Sequence, residues 1–129
     1  MNYKIRYVKY EGKINWIVFD FEKPYEILSY FISDDVSAFA DWIREDFDEV
    51  LSGREEEASS SGNVCCWEIT PTTTKVYNNL AQSDEEFYST MCEVDTRELL
   101  QLVNESDAII KEFKRKRDDG EFEKEEQQE

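Results

Sequence analysis

Residues 33–53 read SDDVSAFADWIREDFDEVLSG, and the spacing of their apolar side chains decides the fold class. Val36, Phe39, Ala40, Ile43, Phe47, Val50 and Leu51 step by three and four, the period of one face of an α-helix. Ser33, Asp34 and Asp35 offer N-cap side chains at one end, and Gly53 closes the other. The opposite face carries Asp41, Glu45, Asp46, Asp48 and Glu49, relieved only by Arg44, so about four turns concentrate negative charge on one side.

Upstream of this helix the period changes from 3.6 to two. Tyr3–Tyr10 sets Ile5 and Tyr7 against Lys4, Arg6 and Val8, Glu11-Gly12-Lys13 turns the chain, and Ile14–Phe21 is rich in β-branched and aromatic residues. The first twenty residues therefore read as a β-hairpin with a Gly-containing loop. Pro24 stops the second strand, and Tyr25–Ile32 alternates well enough to be expected as a third strand. A short helix starting at Pro24 is the competing reading, because Pro is welcome in a first helical turn.

Downstream, Gly53–Asn63 holds Glu55-Glu56-Glu57 and a serine run, and reads as an exposed loop. Val64–Thr70 and Thr74–Leu80 flank Pro71-Thr72-Thr73 as a second hairpin, Ala81–Glu85 reads as a polar turn, and Glu86–Val94 alternates as a further strand. Asp95, with Glu98 three residues on, caps a second helix whose stripe is Leu99, Leu102, Val103, Ser106, Ile109, Ile110 and Phe113, ending near Arg115. The basic run Lys111, Lys114, Arg115, Lys116 and Arg117 suits the negative end of that helix dipole.

The expected architecture is α+β, with a mostly antiparallel sheet of five or six strands and two main helices packed on one face. One domain is expected over residues 1–117. Residues 118–129 carry seven acids against Lys124 and a single large apolar residue, Phe122, so they are expected to fray as an acidic tail.

The charge excludes several functions. At 129 residues the formal net charge is −16, of which the tail supplies −6, so nucleic acid and anionic membrane surfaces are poor partners and a basic protein is favoured. No run approaches the roughly 18 to 20 apolar residues needed to span a bilayer, and Met1–Tyr10 lacks the apolar centre of a secretion signal, so a soluble, cytoplasmic protein is expected. The absence of His removes the usual general base and metal ligand. Cys65, Cys66 and Cys92 have no zinc-knuckle spacing and read as reduced core thiols. No stretch shows the full ligand set of a calcium loop, and no GxGxxG or GxxxxGK[ST] pattern exists, so neither a metal, a cofactor nor a catalytic residue is expected.

What survives is a binding surface: Asp41, Trp42, Glu45, Asp46, Asp48 and Glu49 on the helix, continued by Glu55, Glu56 and Glu57 in the loop. Trp42 falls at the edge of the apolar stripe, where an aromatic ring serves equally as core or as a partly exposed anchor.

In its size, acidity, lack of His, α+β element order and acidic helix from Val36 to Leu51, the chain resembles the small acidic immunity proteins that bacteria encode beside nuclease and other toxins. These include the immunity proteins of contact-dependent growth inhibition. The resemblance implies a non-enzymatic inhibitor that binds one cognate, basic toxin by charge complementarity. It transfers no residue roles, because the class is diverse in fold. Two other readings of the same composition stand beside it: a regulatory or adaptor module that binds a basic protein, as a nucleic-acid mimic for example, and a carboxylate-dependent hydrolase.

Overall fold

The computed structural model describes residues 1–123 of the chain. Among these described residues, six strands, all paired antiparallel, and four α-helices give the expected α+β class, with the strands divided into two sheets. The first sheet is the N-terminal hairpin, β1 (Tyr3–Tyr10) with β2 (Lys13–Phe21). Its ladder skips Asn15 between Trp16 and Ile14, a bulge on β2 that leaves β1 regular from Tyr3 to Val8. The second sheet has the order β3-β4-β5-β6, formed by β3 (Ala58–Ser61), β4 (Cys65–Ile69), β5 (Thr73–Asn78) and β6 (Cys92–Asp95).

Three elements differ from the sequence reading. Tyr25–Ile32 is helical, not a strand: α1 (Ile27–Tyr30) runs into a π-helical turn (Phe31–Val36), and α2 (Ser37–Leu51) follows. The buried residues there are Ile27, Leu28, Phe31, Ile32, Asp35 and Val36, three adjacent pairs four apart, which a helix can bury on one face and a strand cannot. The competing reading, a short helix starting at Pro24, is right in kind, but the helix begins at Ile27 and leaves Pro24 ahead of its first turn. Glu86–Val94 is split between α3 (Asp84–Thr90) and the shorter β6. Ser83 accepts a 3.1 Å hydrogen bond from the Glu86 amide as N-cap, and Asp84, Glu85 and Glu86 favour the positive end of the helix dipole. Finally, the serine run inside the expected loop forms edge strand β3, held by its pairing with β4 and by side-chain bonds rather than by β-propensity.

The four-stranded sheet buries one face. Trp67 lies opposite Val76, and Val76 opposite Cys92; Ile69 lies opposite Thr74, and Thr74 opposite Val94; all six are buried. On its other face Glu68, Lys75 and Glu93 stand side by side across three strands, an exposed row of alternating sign. The helix α2 packs on β3 and β4, and α4 (Thr96–Asp118) packs on β5 and β6, on α2 and on β2. A single apolar cluster results, built from Phe19 of the hairpin, Leu28 and Phe31 near α1, Phe47 of α2, Trp67 of β4 and Leu99 of α4.

Helix α4 begins as the sequence indicates, with the Asp95 carboxylate accepting from the amides of Arg97 and Glu98 at 3.0 Å each. Of the segment expected to fray, residues 124–129 lie outside the described residues. Within the described part α4 continues to Asp118, and the chain then turns back so that Phe122 is buried against Tyr7 and Phe113. Among the described residues no helix is long and apolar enough to cross a membrane.

Candidate acidic binding surface

Helix α2 is oriented by three sets of contacts, and these decide which of its acids reach solvent. Ile43, Phe47 and Val50 are buried in the core. On one flank Arg44 donates to Asp107 and Asn104 of α4, at 2.5 and 2.6 Å, tying the two helices together. On the other flank Asp46 accepts hydrogen bonds from Ser60 Oγ of β3 at 2.7 Å and from Trp67 Nε1 of β4 at 2.9 Å.

Asp46 is thus placed differently from the rest of the acidic set. It is only 9% exposed, and it satisfies the indole N–H of Trp67, the largest fully buried side chain among the described residues. Its place on the polar side of the helix wheel concealed this, since nothing in the spacing shows that a sheet indole points at it. It lies beneath the candidate surface rather than on it.

The remaining eight sequence-selected residues face outward. Asp41, Glu45, Asp48 and Glu49 form an exposed ridge along α2, and Glu55, Glu56 and Glu57 continue it through the loop into β3. The Glu55 amide donates to the Glu49 carbonyl at 3.0 Å, so the loop starts from the end of the ridge. Two of the acids are partly neutralised: Asp41 by Arg44 at 3.0 Å and Asp48 by Arg54 at 2.7 Å. Glu45 and Glu49 form no ion pair within the described residues, though Glu49 lies close enough for its charge to add to the hydrogen bond and charge of Asp48 in raising the pKa of Arg54.

Trp42 stands beside this pair of glutamates, at helical spacings of three and seven. It is 40% exposed, while its ring meets Trp67 and Phe39 edge-on at 5.7 and 5.5 Å between centroids. Part of the ring packs on the core, and the rest is exposed among the acids.

One carboxylate that the spacing assigned to a helix cap has another task. Asp35 is fully buried and accepts from the amides of Asn63, Val64 and Cys65, the last at 2.9 Å. It ties the π-helical turn to the start of β4. Gly62 permits this approach, because a Cβ there would overlap the Asp35 carboxylate.

The three thiols are buried and free. Burial pushes Cys92 up to about 12, and burial together with the Asp35 charge raises Cys65 as well, so neither is a thiolate at neutral pH. Among the described residues no three Cys, Asp or Glu side chains converge as metal ligands. A cavity of about 590 Å³ lies elsewhere, between the start of α1 and α3, with Tyr30 and Leu80 among its lining residues.

No family model matches the chain, and no solved structure matches it. A protein of Bacillus cereus named "Immunity protein" is 38% identical to it over 90 residues, a stretch covering 70% of this chain and 74% of that one.

Proposed function

The chain belongs to the immunity proteins with its Bacillus relative, and from that premise we propose that it binds and neutralises a cognate, basic, nuclease-type protein toxin through the outer surface of α2 and the loop after it. The observation that carries this reading is the pairing of exposed Glu45 and Glu49 with the half-exposed ring of Trp42. Carboxylates exposed in this way attract a basic partner over about a Debye length, roughly 8 Å at physiological ionic strength, and so raise the association rate. Trp42 then supplies apolar area that is already held by Phe39 and Trp67, so little side-chain freedom is lost on binding. Asp46 acts within the protein, holding Trp67 under Trp42.

In this role the protein performs no chemistry. It occupies a surface that the toxin uses to hold a phosphate backbone, and it works in the cytoplasm that the toxin would attack. The test is kinetic. In the triple variant Glu45→Lys, Asp48→Lys and Glu49→Lys, association with the toxin encoded beside this gene should slow by roughly ten- to a hundredfold at low salt and lose its salt dependence. An unchanged association rate would remove α2 from the interface.

A further inference from the structure

Residues 80–91, which carry α3, connect two anchored points of the four-stranded sheet. At one end the Asn79 amide donates to the Val64 carbonyl at 2.8 Å, and at the other β6 pairs with β5 from Cys92 onward. The segment between them is held loosely. No residue of α3 is buried. Among the described residues its hydrogen bonds are internal, from the Ser83 cap to the Met91 amide on the Phe87 carbonyl, or reach no further than the adjacent Asn78. The ring contact that joins it to the sheet is Phe87 on Tyr77 of β5, at 4.8 Å between centroids. On the other flank the cavity of about 590 Å³ separates it from α1, leaving Leu80 and Tyr30 61% and 58% exposed.

Beneath this segment lies a thiol that the rest of the sheet would leave in solvent. The outer face of the sheet is polar and exposed at Glu68, Lys75 and Glu93, yet Cys66 on that same face is buried. Its partner across the ladder is Tyr77, and its Sγ meets Asn79 Oδ1 at 3.2 Å and Ser61 Oγ at 3.0 Å. Cys66 is thus covered by the ring on which Phe87 rests and by the residue from which the segment departs. Cys65 and Cys92 lie instead within the apolar core.

We propose that residues 80–91 form a strap that swings away from the outer face of the sheet as one unit while both sheets and the core stay folded, with Phe87 on Tyr77 as its latch. A segment that buries little and bonds mainly to itself opens at a small fraction of the free energy of global unfolding. Helicity adds little to hold it, since a helix of seven residues is marginal in water without packing. Both ends are fixed by the sheet, so opening uncovers the Tyr77 ring and the Cys66 thiol and leaves the inward face of the sheet untouched.

Alkylation of the full native chain by iodoacetamide, followed site by site with mass spectrometry, reads this opening, because a buried thiol reacts only while it is uncovered. Cys66 should react roughly tenfold or more faster than Cys65 and Cys92. Its rate should hardly change in dilute urea, whereas the two core thiols should speed up steeply, as global unfolding does. Phe87→Ala should raise the Cys66 rate by a further factor of roughly ten to a hundred and leave the other two unchanged. Hydrogen exchange gives a second readout without substitution: the Phe87 and Met91 amides should exchange well before those of the central strand β4. Equal rates and equal urea dependence at the three thiols, a Cys66 rate untouched by Phe87→Ala, or α3 amides that exchange only together with β4 would overturn the proposal.

Discussion

Asp46 and Glu45 are neighbours of the same charge with opposite tasks, and the difference lies in what their side chains meet. Asp46 accepts from Trp67 Nε1 and Ser60 Oγ, whereas Glu45 points into solvent. Removing an acceptor leaves buried donors unpaired at about 1–3 kcal/mol, while removing an exposed carboxylate costs almost nothing. Urea unfolding should therefore show Asp46→Ala less stable by about 2 kcal/mol and Glu45→Ala unchanged. Equal effects would mean that the Trp67 bond contributes nothing. Asp107 adds a pH dependence. Burial alone would raise its pKa, but hydrogen bonds and charge from Arg44 and Lys111 outweigh burial and hold it below the ordinary carboxylate value. A carboxylate depressed in the folded state contributes stability above its ordinary range and loses that contribution as pH falls through the lowered value. Asp107→Asn should lower the unfolding midpoint at neutral pH and flatten its fall between about pH 5 and pH 2; a parallel downward shift at all pH values would assign the loss to packing instead.

At the level of elements, the end of α4 offers a clear test. Phe122 is buried against Tyr7 and Phe113, and Lys13 reaches Glu123 at 3.3 Å, so the turn after α4 closes over the hairpin. Phe→Ala in a core costs about 3–5 kcal/mol, and at this boundary position Phe122→Ala should cost about 2 kcal/mol. A frayed end would give a loss near zero. The acid-rich composition after Asp118 conceals this contact, because one aromatic ring, with Tyr7 and Phe113 waiting to receive it, outweighs several solvated acids. The same limit explains the other departures. Both hairpins, α2 and the start of α4 were legible, since each shows one clean period over many residues. Tyr25–Ile32 was not, because apolar residues fall on both sides of an alternating pattern and pairs such as Ile27 and Leu28 fit either period. Strand β3 was invisible because Ala58–Ser61 has little β-propensity of its own, and its ordering comes from the partner strand and from Asp46. The exposed acids of the candidate site were legible from helical spacing, but the inward turn of Asp46 depends on an indole 21 residues away.

Across the whole molecule, the same charge should act in opposite directions on folding and on binding. With a formal charge of −16, the folded chain gathers carboxylates such as Asp48, Glu49 and Glu55–Glu57 closer together than the unfolded chain does, so self-repulsion opposes folding. Ion pairs such as Arg44–Asp41 and Arg54–Asp48 offset part of this, but exposed pairs contribute less than about 1 kcal/mol each. Screening weakens the repulsion between many like charges more than it weakens these few contacts, because the repulsion acts at distances beyond the Debye length of about 8 Å reached at physiological salt. Raising sodium chloride from low to physiological concentration should therefore increase the urea midpoint of the isolated chain. Over the same range it should slow association with a basic toxin, because the steering field is the one being screened. Measuring both on one sample separates charge from packing. A midpoint that falls with salt would mean that attractive pairs dominate the surface, and an association rate indifferent to salt would place the contact away from the acidic ridge.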